Sequence, residues 1–560
     1  MTRALAAVVA GAALTAFMTW PIVVRPGSVG RVNTNDGRFS IWNVAWVAHA
    51  LTDESAGLFD ANIFHPHRGT LAYSEANLVA GVMAVPVYLA TRDPVAAHNA
   101  VVLAALVLAF VATWALVRRL TGSGLAGLLS GTGFAFCTYV SAHTAHIQLL
   151  MVFVIPLTLL QLHRYVEHPA TRRGVELGLV LALAGLACGY YGIFSGLAAG
   201  LALLWFAPGQ PNALRYWRGV LVAVVVGAAA VAPAVRPYVE LRRETGFKSV
   251  PDIEGARMYS ADLAAYLRSG TVVHQAILPL YPATLQRDIR RDGEVLFPGF
   301  VIVVLAIVGA AAAWRTAPTT GREPPVPSPA GSSRRIVALY AVLTLLAIWV
   351  SLGPAGGLYT WLAESVPMMS FLRAPARAGT IALFGLTVLA GVGAAQLVSR
   401  RAGRGLVAAL VLLTAAELKA HWPLADVPPV PTVYRYLATL PPGPVVELHF
   451  PYRSGELYPH TTYMFWSAWH WHPLVNGYSD YIPADFRKIA GPINGFPDPT
   501  SLEIMRVRDV RYVLIHWNTY DDAGREEMRS RFGPYTDSIR LLLDDGEVSL
   551  YEIVSYPPRR

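Results

Sequence analysis

NLVAGVMAVPVYLAT, residues 77–91, decides how this chain is threaded. As a helix its 15 residues rise about 22 Å. That falls short of the roughly 30 Å of hydrocarbon a spanning helix covers, and Pro86 interrupts the segment. Longer apolar stretches surround it, at 4–24, 96–117, 123–140, 147–165, 174–207, 218–236, 297–314, 336–352, 378–399 and 404–420. The 174–207 stretch suffices for two helices, with CGYYG at 188–192 as its turn, because Gly breaks the helix and paired tyrosines suit a membrane interface. With 77–91 left out, about 11 transmembrane helices result. The loops on one side then carry Arg118, Arg119, Arg172, Arg173, Arg334 and Arg335 among others, whereas the short loops on the other carry only Arg92, Arg373 and Arg377. That is the asymmetry of a cytoplasmic and an outer face. Were 77–91 to cross, later loops would invert against their charge, so it is expected to lie on the outer leaflet as an interfacial or re-entrant helix.

Composition agrees. The 560 residues are 54% hydrophobic and 14% charged, against about a quarter charged in a soluble protein, which excludes an ordinary soluble domain. Two cysteines, Cys137 and Cys188, are too few for a disulfide scaffold or a cysteine zinc cluster; both lie in apolar runs and read as small buried hydrophobes. The net charge of +9 does not signal nucleic acid. Residues 1–420 hold 32 basic and 19 acidic side chains and residues 421–560 hold 13 and 17, so the excess belongs to the membrane part, where it orients the helices.

The expected architecture is a mostly α-helical polytopic membrane protein, residues 1–420, with an extracytoplasmic soluble α/β domain at 421–560. The protein is placed in the bacterial cytoplasmic (inner) membrane, since the Ala, Gly and Arg bias suggests a GC-rich bacterial genome. Its N-terminus is cytoplasmic on this threading. MTR and the apolar core after it also fit a signal peptide, although the run reaches Val24 without a clear cleavage site. Outer loops fall at 25–95, 237–296 and 353–376, and TAPTTGREPPVPSPAGSS at 316–333 reads as a disordered cytoplasmic linker. No internal repeat or inverted pair of halves supports a transporter.

After Lys419, β-rich runs appear at 444–450, 510–517 and 547–554, with a helical pattern at 499–509. The stretch HTTYMFWSAWHWHPLVNGYSDY at 460–481 gathers Trp466, Trp469, Trp471 and Tyr478 beside three histidines. Two readings stand: a platform on which sugar faces stack, or a wedge at the membrane boundary, where Trp and Tyr accumulate.

The outward-facing polar minority holds the candidate chemistry. Asp36 follows Asn33, Thr34 and Asn35 and precedes a helical run bearing Trp42 and Trp46. A carboxylate held at the lipid boundary is placed to serve as general base or metal ligand; the alternative is a helix N-cap. His65 and His67, with Glu75, suggest a divalent cation such as Mg or Mn, or a phosphate contact. His143 and His146 in SAHTAHIQ return to the same face, where neutral imidazoles suit a phosphate or sugar, unless they are plain interface histidines. Arg373 and Arg377 in MMSFLRAPARAG stand on the side from which arginine is otherwise depleted. A phosphate headgroup held by bidentate hydrogen bonds would explain them, as would snorkelling to lipid phosphates.

Taken together, NTNDGRFSIWNVAWVAHAL, the short non-spanning helix, ALVRRLTGS, AHTAHIQLL, FLRAPARAG and a C-terminal outer domain resemble the GT-C superfamily of polytopic glycosyltransferases. Within it the chain is similar to the bacterial group related to dolichyl-phosphate-mannose-type and YfhO-like membrane proteins. The resemblance implies a polyprenyl-phosphate-linked sugar donor used at the outer face, with Asp36 in the catalytic place and Arg373 as a lipid-phosphate contact. Better-known members carry an acidic pair where this chain has Asn35 and Asp36, which bears on metal dependence. The partners implied are membrane lipids, the donor, and a glycan, lipid or protein acceptor. Two rivals remain: a non-catalytic lipid-binding or assembly protein on the same scaffold, and a transporter or flippase, for which mid-membrane ionisable residues are nearly lacking.

Overall fold

The computed structural model describes residues 2–246, 253–290, 293–315, 334–366, 368–369, 372–400, 402–452 and 457–558. The linker expected at 316–333 lies outside them. The chain forms two compact units, one of residues 1–24, 101–235 and 248–423, the other of 25–100, 236–247 and 424–560. Residues 25–100, which the division at 420 grouped with the membrane part, therefore share a unit with the C-terminal segment.

Six helices among the described residues are long and apolar enough to cross a membrane: Pro94–Thr121, Gly124–Ala142, Gly189–Gly209, Ala213–Thr245, Arg334–Ser351 and Pro375–Val398. The other stretches expected to span are helical but shorter or interrupted. Thr2–Met18 and Thr171–Ala187 have 17 residues each, and Gly403–Glu417 has 15. The 147–165 stretch is split into Ile147–Leu150 and Val154–Glu167. Cys188, extended at φ −161°, separates Thr171–Ala187 from Gly189–Phe206. Among the described residues, length and composition thus qualify six of the stretches expected to span. An apolar run measures hydrophobicity but does not register the turns that cut it.

In the first unit the helix Gly379–Val398 is buried along nearly its whole length. It packs against Phe300–Arg315, Arg334–Ser351 and Gly124–Ala135. Glycine permits the tightest of these approaches: a Cβ at Gly393 would lie 2.1 Å from the Leu305 carbonyl oxygen, and one at Gly309 2.3 Å from that of Leu389. Close approach through small residues drives helix association in lipid, where hydrophobicity supplies little. Polar contacts tie the ends. Lys419 Nζ donates to the carbonyls of Phe17 and Met18 at 2.7 and 2.9 Å, at the C-terminus of the first helix, where a cation suits the helix dipole. The buried Glu417 carboxylate accepts from the amides of Phe300 and Val301 at the start of their helix, and lies 3.1 Å from His274 Nε2.

The second unit is built on a four-stranded sheet: β1 (Val445–Leu448), β2 (Tyr512–His516), β3 (Ile539–Asp544) and β4 (Val548–Ile553), in the order β1-β2-β4-β3. β1 and β2 run parallel, and the other pairings are antiparallel. Val29–Gly30 pairs with Ala425–Asp426, closed by an Arg25–Asp426 ion pair of 2.6 Å. The core joins Tyr434, Val445, Trp466, Leu514 and Leu550 to Val32, Ile41 and Val95. Those last three residues explain why the early segment belongs here. Leu78–Thr91, the decisive short helix, has 14 residues with Pro86 inside and buries Ala80, Gly81, Ala84 and Tyr88. It packs on the helix Asn35–Ala50.

Candidate functional site

Asp36 stands in the first turn of Asn35–Ala50, a helix buried from Ser40 to Ala48. The N-cap is Thr34, whose hydroxyl accepts from the Gly37 amide at 3.1 Å, so the capping role open to Asp36 on sequence is filled two residues earlier. A first-turn carboxylate is favoured by the helix dipole. Gly37 lets the preceding loop fold back, since a Cβ there would lie 1.9 Å from the Arg31 carbonyl oxygen. Asn35 Oδ1 accepts from Arg38 at 2.8 Å and from Thr461 at 3.3 Å, which ties this turn to the C-terminal segment. The exposed Asp36 shares its surroundings with Tyr478. Burial chiefly raises the Tyr478 phenol, reinforced by Tyr458 and by the negative charges of Asp36 and Asp480. The rings of Tyr458 and Tyr478 lie 5.2 Å apart, and Asp480 accepts from Ser74 at 2.8 Å. A second acid, Asp480, thus acts on the same phenol as Asp36; no spacing in the sequence links them.

The remaining candidates of this unit are held structurally. Glu75 offers its backbone carbonyl to Asn43 and Asn77. His65 Nε2 meets the Arg508 carbonyl at 3.1 Å, and His67 Nε2 meets Asp485 at 2.8 Å, which also binds Arg508. Among the described residues no three of His, Cys, Asp and Glu gather as a set able to hold a metal ion. Trp466, only 8% exposed, lies in the apolar core, and the partly buried Trp469 packs against it. Trp471 stacks on His49 at 4.7 Å and donates to the Tyr88 hydroxyl.

In the first unit, His143, His146 and Arg373 lie just beyond helix ends, and Arg377 lies in the first turn of Pro375–Val398. Arg373 precedes and Arg377 lies within a short 3₁₀ turn, Pro375–Ala378, so i, i+4 spacing does not stack them on one α-helix face. The Arg377 guanidinium sits 4.3 Å over the Tyr190 ring, and Arg373 sits 5.9 Å over Tyr259. The Tyr190 hydroxyl accepts from the amides of Arg373 and Ala374, both at 3.1 Å, which fixes the arginine loop. His143 Nδ1 lies 2.8 Å from the Tyr139 carbonyl and so carries the hydrogen. Its Nε2 faces Glu294 at 3.6 Å, and the His146 ring is 6.4 Å from the His143 ring. Burial pushes the His143 imidazole down to about 3, outweighing the Tyr139 carbonyl and reinforced by Arg377 and His146. Burial also raises the Glu294 carboxyl, against the pull of Arg377. A guanidinium, a neutral imidazole and a carboxyl whose ionisation burial disfavours together can receive an anion with several oxygens. Glu294 was not among the residues singled out on sequence, where it is one isolated acid of a long loop.

No protein-family model and no curated protein matches the chain. Among solved structures, the arabinofuranosyltransferase AftD from Mycobacteria is similar over 99% of this chain with a TM-score of 0.59 at 14% identity; this chain spans 40% of AftD. The oligosaccharyltransferase AglB from Archaeoglobus fulgidus gives a TM-score of 0.44 at 11% identity, covering 92% of this chain and 69% of AglB. ArnT from Cupriavidus metallidurans, bound to undecaprenyl phosphate, gives 0.40 at 14%, covering 99% of both. The fold is similar to that of AftD, and at this identity the likeness is one of fold.

Proposed function

We propose that this chain is an integral-membrane glycosyltransferase that moves a sugar from a polyprenyl-phosphate-linked donor to a glycan, lipid or protein acceptor at the outer face of the bacterial cytoplasmic membrane. The observation that carries this reading is the fold shared with AftD over 99% of the chain. Asp36 takes the proton of the acceptor hydroxyl as its oxygen attacks the anomeric carbon. The bond from that carbon to the phosphate oxygen breaks with inversion, and its electron pair stays on the phosphate. Arg377, Arg373 and the neighbouring imidazoles of the first unit are the groups suited to bind a phosphate anion, and charge stabilisation of that kind often contributes most to catalysis.

AftD's name makes a pentosyl donor the first to try. With a synthetic polyprenyl-phosphate arabinofuranose and an alkyl arabinoside in proteoliposomes, Asp36→Asn is expected to lower transfer at least about 100-fold, the lower end of what a positioned general base contributes, with the melting temperature unchanged. Wild-type turnover by that variant would remove Asp36 from the mechanism. Binding of the lipid phosphate without transfer to any acceptor would favour an assembly protein on the same scaffold.

A further inference from the structure

His143 and Glu294 form an unusual pair. Each is largely withdrawn from solvent, with side-chain exposures of 14% and 19%. The hydrogen on His143 Nδ1 is committed to the Tyr139 carbonyl, so Nε2 turns a lone pair toward Glu294. At 3.6 Å a carboxylic acid stands just beyond hydrogen-bond length from that nitrogen and shares its proton with it after a small shift, whereas a carboxylate there meets a second acceptor. Among the described residues, the charged and titratable groups around the pair are Arg377 and His146, with the Tyr139 ring tilted against His143 at 4.1 Å. Arg268 packs on Gly293, next to Glu294, but is engaged by Asp262 at 2.7 and 2.8 Å. Arg377 is thus the cation that acts on both members. A phosphate drawn to Arg377 therefore meets Glu294 either as a proton donor or as a like charge.

We propose that Glu294, supported by His143, is a proton-operated gate for a polyprenyl monophosphate at Arg377, which retains the lipid phosphate while the pair holds its proton and expels it once Glu294 is ionised. The proposal rests on the glycosyltransferase reading above, in which this lipid phosphate is the product left by transfer. Breaking the anomeric C–O bond turns a phosphodiester monoanion into a monoester dianion. Transfer of the Glu294 proton to a phosphate oxygen leaves a monoester monoanion beside a carboxylate. Repulsion between the two then favours departure, and solvent returns a proton to Glu294. Glu294 would then be a catalytic residue, because it touches the leaving group, and His143 a positioning residue.

The test measures binding of undecaprenyl phosphate in detergent micelles to the full chain, wild type and Glu294→Gln, from about pH 5 to 9. The phosphate's own titration is common to both proteins and cancels in the ratio of their Kd values. At the alkaline end Glu294→Gln is expected to bind about tenfold tighter, the factor that corresponds to one pKa unit of interaction, and the ratio should approach one as pH falls. A ratio that stays constant across the range overturns the gate. His143→Gln should move the pH at which the wild-type affinity changes downward, by removing the partner that favours the acid form; an unmoved midpoint also counts against the proposal. This variant carries the test alone if Glu294→Gln does not fold. If the wild type fails to bind the probe at any pH, or Arg377→Ala binds it unchanged, the phosphate reading of the site falls as well. A constant ratio with binding intact and Arg377-dependent removes only the gate.

Discussion

His460 shows what burial does to a single residue. Its Nε2 meets the Pro451 carbonyl at 3.0 Å and its Nδ1 the Asn476 amide at 3.4 Å, and burial pushes its imidazole down to about 4, beyond what the Pro451 carbonyl restores. Because the folded value lies below the unfolded one near 6.5, the unfolded chain binds the extra proton first. Stability is therefore full above about pH 6.5 and is lost as pH falls toward 4, at up to about 1.4 kcal/mol per unit for this one group. Chemical denaturation of wild type and His460→Gln at several pH values should show a shallower acid slope in the variant. Equal slopes would mean that other groups, such as the buried His470, govern it. At this scale the sequence was partly legible. Asp36 as the start of a helix could be read from NTND, because the cap chemistry is local. The partner of His143 could not, since Glu294 comes 151 positions later in the chain and no spacing rule joins a loop acid to a helix-end imidazole. Equally, Arg373 and Arg377 look paired on sequence, yet a turn separates them and each finds a different tyrosine.

Elements carry a different kind of information. Helical segments were legible because apolar runs and glycine breaks are local properties; their lengths were not, because turns at residues 151–153 or Cys188 cut runs that remain apolar throughout. What makes the first unit's bundle specific is the close fit at Gly309 and Gly393, which composition does not reveal. Gly393→Leu would force its side chain against the Leu305 backbone. Overpacking of this sort typically costs about 1–3 kcal/mol, and the variant should melt several degrees lower in detergent. Gly200→Leu, where an added Cβ meets nothing within 4 Å, is the matched control on another apolar helix and should leave the transition in place. A similar loss in both would show that leucine at any helical glycine, and not the Leu305 approach, is responsible.

At the scale of the whole molecule, the composition shift after Lys419 was visible as a boundary, but not that the unit beyond it is discontinuous. Hydrophobic patterning shows that Val32, Ile41 and Val95 want burial and cannot say against which later segment. Since these residues share a core with Tyr434, Val445 and Leu550, the 421–560 segment expressed alone should lack part of its interior. It is expected to show no sharp melting transition and to bind a hydrophobic dye, whereas the full chain retains its transition; a cooperative melt of the isolated segment would refute this. The same discontinuity sets a timetable for synthesis. At about 5–20 residues per second, residues 25–100 emerge tens of seconds before β1, β2 and β4 exist to cover them. The early segment must wait with Ile41 and Val95 uncovered, and the unit closes only when the last strand arrives, so a ribosome that stops after residue 423 leaves that unit without its sheet.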